Sequence, residues 1–229
     1  MKDSVDQLLT VVYRHYPRSV SYEDQRYGET PEARRLSDAY RAVDEAAGPW
    51  RAMLDRLAAR FPDRDVDNGD LGGACRNGVV FLPKAPGERI HLVGFLMSYL
   101  VPYYAVYGCR TVDAATPTTV EEGPPIWFDG DTAIIGEKFE GTQPVAGLGQ
   151  GRRGSKPRTR TDITLEPSAD EQVYWTAVSS EIESTFGCEL LPPDIGRIRV
   201  PDVATKTRRL GQATLYDCLV SDSFGLSGP

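Results

Sequence analysis

Residues 90–109 form the longest uncharged stretch of the chain. They run for twenty residues, which is long enough for a helix to cross a bilayer. The content of the stretch argues against such a helix, because it includes His91, Pro102, two glycines and four tyrosines. A proline after the β-branched Val101 favours a bend between two buried strands. The sequence therefore predicts that this stretch forms part of a sheet rather than a membrane span.

Helical patterns occur on both sides of this stretch. A Thr-Pro pair predicts a helix over residues 31–47, and a Gly-Pro pair begins a second helix over residues 49–61. A capping box at residues 168–171 predicts a third, longer helix that ends at Gly187. Residues 8–16 are compatible with either a short strand or a helix.

Short apolar runs between turn residues predict the strands. These runs are residues 78–82, 89–99, 103–112, 126–128, 132–135, 163–165, 197–200 and 213–220. The predicted fold class is α+β, with an N-terminal helical hairpin, a mixed or antiparallel sheet of about five to seven strands, and one long helix of the C-terminal half packed on the sheet. We expect one domain over residues 1–229, comprising a helical part (1–62), a sheet with its helix (75–220) and a flexible basic loop (147–160).

The charge balance limits the class of partner. The chain has 26 Lys and Arg against 33 Asp and Glu, which gives a net charge of −7. Such an acidic chain disfavours nucleic-acid wrapping and favours a basic partner. The four cysteines (Cys75, Cys109, Cys188 and Cys218) lack any C-x-x-C spacing, so zinc-ribbon and thioredoxin-like sites are not expected. Free thiols in the cytoplasm are the prediction, with disulfides as the alternative.

The sequence lacks the usual catalytic motifs. It has only two histidines, His15 and His91, and no G-x-S-x-G, H-E-x-x-H or P-loop motif. His91 is predicted to be a hydrogen-bonded core residue. Residues 149–154 match G-x-G-x-x-G, but Pro157 is unfavourable for the helix that a dinucleotide site requires. We predict no enzyme, no metal and no cofactor. A hydrolase that uses paired carboxylates is the alternative, because sequence spacing cannot expose such a pair.

Two charged segments of opposite sign remain. Residues 63–70 contain four aspartates but fit no EF-hand register, since the required glycine and glutamate are missing. They are predicted to be a solvated loop, with a contact patch for a basic partner as the alternative. Residues 147–160 contain five Lys and Arg and no acid, which indicates a flexible surface loop or, alternatively, a phosphate-binding arm that would make this a nucleic-acid-binding or scaffold protein.

Several short sequence segments together resemble an immunity-protein family. They are LLTVVYRHYP (residues 8–17), WRAML (50–54), the block 163–186, and VPDV (200–203) through GQATLYDC (211–218). The resemblance is to the immunity proteins of bacterial polymorphic toxin systems, of the type paired with restriction-endonuclease-fold toxins. It implies a cytoplasmic, non-catalytic protein that binds and neutralises a cognate toxin, which would be basic and nuclease-like.

Candidate toxin-binding residues follow from charge and aromatic character. A nuclease must present positive charge to phosphates, so its inhibitor benefits from an acidic face, and tight interfaces add aromatic anchors. The candidates are Asp63, Asp65, Asp67, Asp70, Glu121, Glu122, Asp129, Asp131, Glu137, Glu140, Tyr103 and Tyr104. For Asp129 and Asp131 a hairpin turn is the simpler explanation, and for the tyrosines it is core packing. Neither a membrane nor direct nucleic-acid contact is expected.

Overall fold

A six-stranded sheet forms the centre of the computed structural model of this chain. The structure describes residues 4–45, 47–69, 74–113, 126–129, 132–135 and 159–222. The strands of the sheet are β1 (Val66–Asp67), β2 (Cys75–Phe81), β3 (Glu88–Ser98), β4 (Tyr103–Asp113), β7 (Thr159–Thr164) and β8 (Glu189–Leu190), and β5 (Ile126–Asp129) pairs with β6 (Thr132–Ile135) in a separate hairpin.

The sheet is mixed, with order β1-β2-β3-β4-β7 and antiparallel pairing throughout this path. β8 runs parallel to β4, beside the start of that strand. The uncharged stretch 90–109 forms most of β3 and β4, with Val101 and Pro102 in the turn between them, so its prediction as two strands is confirmed. Within the described residues, no helix has the length and apolar character needed to span a bilayer.

Six α-helices and one short 3-10 helix (Tyr27–Glu29) accompany the sheet in the described part of the chain. The α-helices are α1 (Val5–His15), α2 (Pro31–Glu45), α3 (Gly48–Arg60), α4 (Gln172–Phe186), α5 (Pro193–Gly196) and α6 (Leu215–Leu219). The first helix resolves the alternatives for residues 8–16, because a capping box between Ser4 and Gln7 begins a helix there. The predicted α+β class, the N-terminal helix pair and the long helix of the C-terminal half are confirmed.

Helices cover both faces of the sheet. Leu96 and Tyr107 point into a first core, which α1 and α6 share. Phe95 and Val106, their neighbours in sequence, point into a second core beneath α3 and α4. Because successive residues of a strand alternate between faces, a strand between two cores reads as a continuous apolar run. This explains the uniform character of residues 90–109 in an antiparallel sheet.

The two consecutive N-terminal helices contribute to different cores. Leu36 of α2 belongs to the first core, whereas Trp50 of α3 belongs to the second. The chain therefore passes from one face of the sheet to the other between Glu45 and Gly48. Trp50 is a core residue, since only 2% of it is exposed.

The prediction of two closing strands at residues 197–200 and 213–220 was wrong. Arg199 and Thr214 form an isolated bridge, and α6 follows directly. Thr214 and Asp217 form a capping box, in which the Asp217 amide donates to Thr214 Oγ1 (3.3 Å) and the Thr214 amide donates to Asp217 Oδ2 (2.8 Å). This local bonding favours a helical turn over the β-propensity of the apolar run.

Two predicted loops have different outcomes. The hairpin around Asp129 is confirmed, because Asp129 of β5 pairs with Thr132 of β6. The basic segment 147–160 lies outside the described residues, except for residues 159 and 160. These two residues begin β7, so the predicted loop ends earlier than expected.

Candidate functional site

The acidic run contains an edge strand rather than only a loop. Val66 and Asp67 pair with Val80 and Val79 at the end of the sheet. Asp63, Asp65 and Asp67 are exposed, while Val66 is half-buried. Because side chains alternate along a strand, Asp65 and Asp67 share one side and Val66 faces the other. We refer to Asp63, Asp65 and Asp67 as the acidic edge.

The remaining acidic candidates are not brought to this edge by any described contact. Asp70, Glu121, Glu122, Asp131, Glu137 and Glu140 lie outside the described residues. Asp129 lies at the end of β5, where the structure describes the backbone only. The structure thus brings together three of the predicted acids, all from one short segment.

The two predicted aromatic anchors are core residues. Tyr103 is 5% exposed and Tyr104 is 1% exposed, and they point into the first and second cores. The Tyr104 hydroxyl donates to Glu183 Oε1 at 2.6 Å. Their assignment as partner contacts is corrected, because a helical layer covers the strand on each face. Core packing, the alternative noted from the sequence, describes them.

Phe81 is an exposed aromatic residue that was not predicted from the sequence. It is 38% exposed at the end of β2. Phe81 pairs with Leu92, Leu92 with Cys109, and Cys109 with Ile163, so one row crosses four strands on a single face. The last three side chains are half-buried. We refer to Phe81, Leu92, Cys109, Ile163 and the neighbouring Val79 as the open face. Phe81 lies in a predicted strand, and the local pattern gives no sign that the helical layer stops short of it.

A buried charged cluster lies on the opposite face of the same strands. His91, 3% exposed, places its Nδ1 atom 2.9 Å from the Pro83 carbonyl oxygen and its Nε2 atom 3.3 Å from Glu171 Oε1. The Arg110 Nε also donates to Glu171 Oε1 (3.4 Å). The prediction that His91 is a hydrogen-bonded core residue is confirmed.

Glu171 connects helix α4 to this cluster. Its Oε2 accepts a hydrogen bond from the Ser168 amide (2.9 Å), which is the reciprocal half of the predicted capping box. In the other half of a capping box the Ser168 hydroxyl would accept a hydrogen bond from a backbone amide. Here it instead donates to Asp170 Oδ1 (2.7 Å). Burial acts to raise the pKa of Glu171, but the hydrogen bonds from Ser168 and Arg110 outweigh it and hold that pKa below its ordinary value.

A groove lies beside this cluster, and Ser168 and Glu171 are among the residues that line it. It has a volume of about 540 Å³ and is open to solvent between β7 and the start of α4. Hydrogen bonding from Ser168 lowers the pKa of Asp170, as the contacts described above do for Glu171. A general acid at neutral pH needs a raised pKa. These carboxylates therefore act as hydrogen-bond acceptors that position α4 and the Arg110 side chain.

A second open groove, of about 580 Å³, is lined by tyrosines from the N-terminal region. Tyr16 and Tyr27 are buried and Tyr22 is exposed. Burial raises the pKa of Tyr16 and of Tyr27, so both hydroxyls stay protonated at neutral pH. Burial also raises the pKa of Asp217 in this groove, but that carboxylate is already engaged by Thr214 and by Arg208 Nε (3.1 Å).

The four cysteines are free thiols, which confirms the prediction. Burial raises the pKa of Cys109 to about 12, and it raises the pKa of Cys75, Cys188 and Cys218 as well. A nucleophilic cysteine needs a lowered pKa, so these thiols have packing roles. No group of three or more His, Cys, Asp and Glu side chains within the described ranges could hold a metal ion.

Comparison with known proteins does not assign the chain to a family. It matches no family model, no curated protein and no solved structure.

Proposed function

We propose that this protein is a cytoplasmic immunity protein that binds and neutralises a cognate toxin of nuclease type. The proposal combines the resemblance of residues 8–17, 50–54, 163–186 and 200–218 with the charge of the chain. The net charge of −7 favours a basic partner. A nuclease presents such a partner surface, because it must attract the phosphates of its substrate.

The acidic edge is the observation that supports this function best. Three exposed aspartates, Asp63, Asp65 and Asp67, lie within five consecutive residues. None of them forms an ion pair with any residue that the structure describes. Their charge is therefore not neutralised locally and is free to act on an approaching cationic surface.

Neutralisation then requires binding alone. Attraction between the acidic edge and a cationic cleft speeds the encounter, and this matters when the toxin must be captured before it cleaves nucleic acid. Contact at or beside the cleft excludes the phosphate backbone from the toxin. No bond is made or broken by the inhibitor.

The direct test uses the product of the adjacent gene. We expect it to co-purify with this protein, and we expect cells that express both to grow while cells with the neighbour alone do not. If the two proteins neither bind nor show protection, the proposal is contradicted.

A charge-reversal variant tests the role of the acidic edge. With Asp63→Lys, Asp65→Lys and Asp67→Lys combined, we expect association to slow by about tenfold or more at low salt, because steering depends on the charge near the contact. The melting temperature should change little, since all three side chains are exposed. A matched control reverses Asp55, Glu189 and Asp194, three exposed acids on other elements, and should leave association nearly unchanged.

A further inference from the structure

The open face is an incompletely covered part of the first face of the sheet. Beneath α1 and α6 the same face holds fully buried residues such as Leu96 and Ala105. Towards the end of β2 the cover is incomplete, because Phe81 is 38% exposed and Val79 is half-buried. The open face therefore presents partly covered apolar side chains on the sheet, and one of them is a large aromatic ring.

The acidic edge borders this apolar surface. Asp67 pairs with Val79, and the Phe81 amide donates to the Asp65 carbonyl oxygen at 2.9 Å. Directly paired residues share a face of the sheet, so Asp67 points to the same side as Val79. Asp65 lies two residues earlier in the extended chain and shares that side.

The cation within the acidic run points the other way. Arg64 is half-buried, and its Nε donates to the Tyr174 hydroxyl at 3.1 Å on the α4 side of the sheet. Val66 also packs against the second core on that side. The alternation of β1 thus separates the charges, with carboxylates beside the open face and the guanidinium directed away from it.

We propose that the open face and the acidic edge together form the docking surface for a basic protein partner, with Phe81 as the apolar anchor and Asp63, Asp65 and Asp67 as the charged rim. This rests on the proposed function and gives its contact surface. An aromatic side chain at the centre with charges at the margin is the arrangement that protein interfaces favour. The partner that fits is a cationic surface with an apolar side chain among its Lys and Arg residues.

Charge favours this occupant over a second copy of the chain. Two copies that docked through this surface would bring their acidic edges towards one another, and like charges at close range oppose association. A cationic partner places opposite charges at the same positions. Its binding should weaken as salt is added, because exposed charges are screened.

The first experiment maps binding on the unaltered protein. The probe is a short amphipathic peptide of lysine, arginine and leucine, and its counterpart with glutamate in place of the cations is the control. In two-dimensional NMR spectra of the labelled protein, we expect the basic peptide to shift the signals of Val79, Phe81, Leu92, Asp65 and Asp67. The acidic peptide should shift none of them. Shifts centred elsewhere, for example on the tyrosine-lined groove, would overturn the docking surface.

Variants separate the two parts of the surface. We expect Phe81→Ser to weaken peptide binding by about tenfold and to leave its salt dependence unchanged. Asp65→Asn with Asp67→Asn should reduce both the affinity and the salt dependence. The controls are Val173→Ser, at an exposed apolar residue of α4, and Asp55→Asn, at an exposed acid of α3. Equal loss in the control variants would overturn the proposal.

Two other results would assign the surface to a different occupant. Nuclear Overhauser contacts between the Phe81 ring and Trp127 or Phe128 would place the β5–β6 segment of the same chain there. Concentration-dependent dimers that Phe81→Ser dissociates would place a second copy there. Either result overturns the docking surface for a basic partner.

The outcome also separates this inference from the proposed function. If the neighbouring toxin binds and neither Phe81→Ser nor the double asparagine variant weakens that binding, the function stands and the docking surface is wrong. If the neighbouring product does not bind but the basic peptide maps to the open face, the surface stands and the toxin assignment is wrong.

Discussion

The Glu171 carboxylate lies directly over Gly108, so that a β-carbon on Gly108 would be 2.7 Å from Glu171 Oε2. A residue without a side chain is needed there because the carboxylate fills the space above the strand. Gly108 therefore allows the Glu171 carboxylate to reach His91, Arg110 and the Ser168 amide at the same time.

The variant Gly108→Ala tests this close approach. The new methyl group would displace the carboxylate from its hydrogen bonds, and we expect the free energy of unfolding to fall by about 1–3 kcal/mol. Urea denaturation measures the change. Gly28→Ala is the control, because a β-carbon at Gly28 meets no atom within 4 Å. Equal stability of the two variants would mean that Glu171 does not occupy this position.

The ionisation of Glu171 should contribute to stability at neutral pH. Its pKa is lower in the folded state than its ordinary value, so its stabilising contribution is present above the ordinary pKa and is lost as the pH falls through the folded value. We expect Glu171→Gln to be less stable than the wild type at pH 7, and the difference should narrow as the pH falls from about 5 to 3. Chemical denaturation across this range measures it, with Glu189→Gln at an exposed site as the control. A difference that does not vary with pH would contradict this account.

The Trp50 indole depends on one acceptor. Its Nε1 donates to Asn68 Oδ1 at 2.7 Å, while the ring is buried in the second core. Asn68→Ala leaves this donor without its partner, and we expect a loss of about 1–3 kcal/mol in the free energy of unfolding. Asn68→Asp keeps an oxygen acceptor and should retain most of the stability. If alanine and aspartate at this position behave alike, the hydrogen bond does not contribute.

The capping box of α6 should contribute to the free energy of unfolding, because both of its residues are buried. Thr214 is 3% exposed and Asp217 is 2% exposed. We expect Thr214→Ala to lower the free energy of unfolding by about 1–2 kcal/mol, since the helix loses its N-cap acceptor. Thr214→Ser restores the hydroxyl and should recover most of this energy. Thermal unfolding monitored by circular dichroism measures both variants, and no gain from serine would contradict the cap.

The thiols should be unreactive in the folded protein. Burial raises the pKa of all four cysteines, so little thiolate is present at pH 8. We expect Ellman's reagent to label them slowly in the native state and to detect all four in guanidinium chloride without reductant. Fewer than four after unfolding would show that two of them form a disulfide.

Local sequence signals were enough to predict most of the secondary structure. The proline pairs located α2 and α3, and the uncharged stretch located β3 and β4. Residues 213–220 were predicted incorrectly because the apolar run was given more weight than the Thr214–Asp217 capping box, which is equally visible in the sequence.

The site depends on information that is not local. His91 and Glu171 are 80 residues apart in the chain, so no spacing rule could pair them. The exposure of Phe81 is decided by how far the helices extend over the sheet, and a strand residue carries no sign of this. The acidic character of the edge could be predicted from the sequence. That Arg64 points to the opposite side from the aspartates follows only from the register of β1.

The pairing of Asp113 with Thr159 has a consequence for how this chain can vary. The two residues are cross-strand neighbours at the ends of β4 and β7, so the intervening 114–158 segment leaves and re-enters the sheet at almost the same point. Because loop-closure entropy grows slowly with loop length, the entropic cost of closing the connection between these two residues depends only weakly on its length. Residues could therefore be inserted between these two strand ends at small entropic cost while the register of β4 and β7 is preserved.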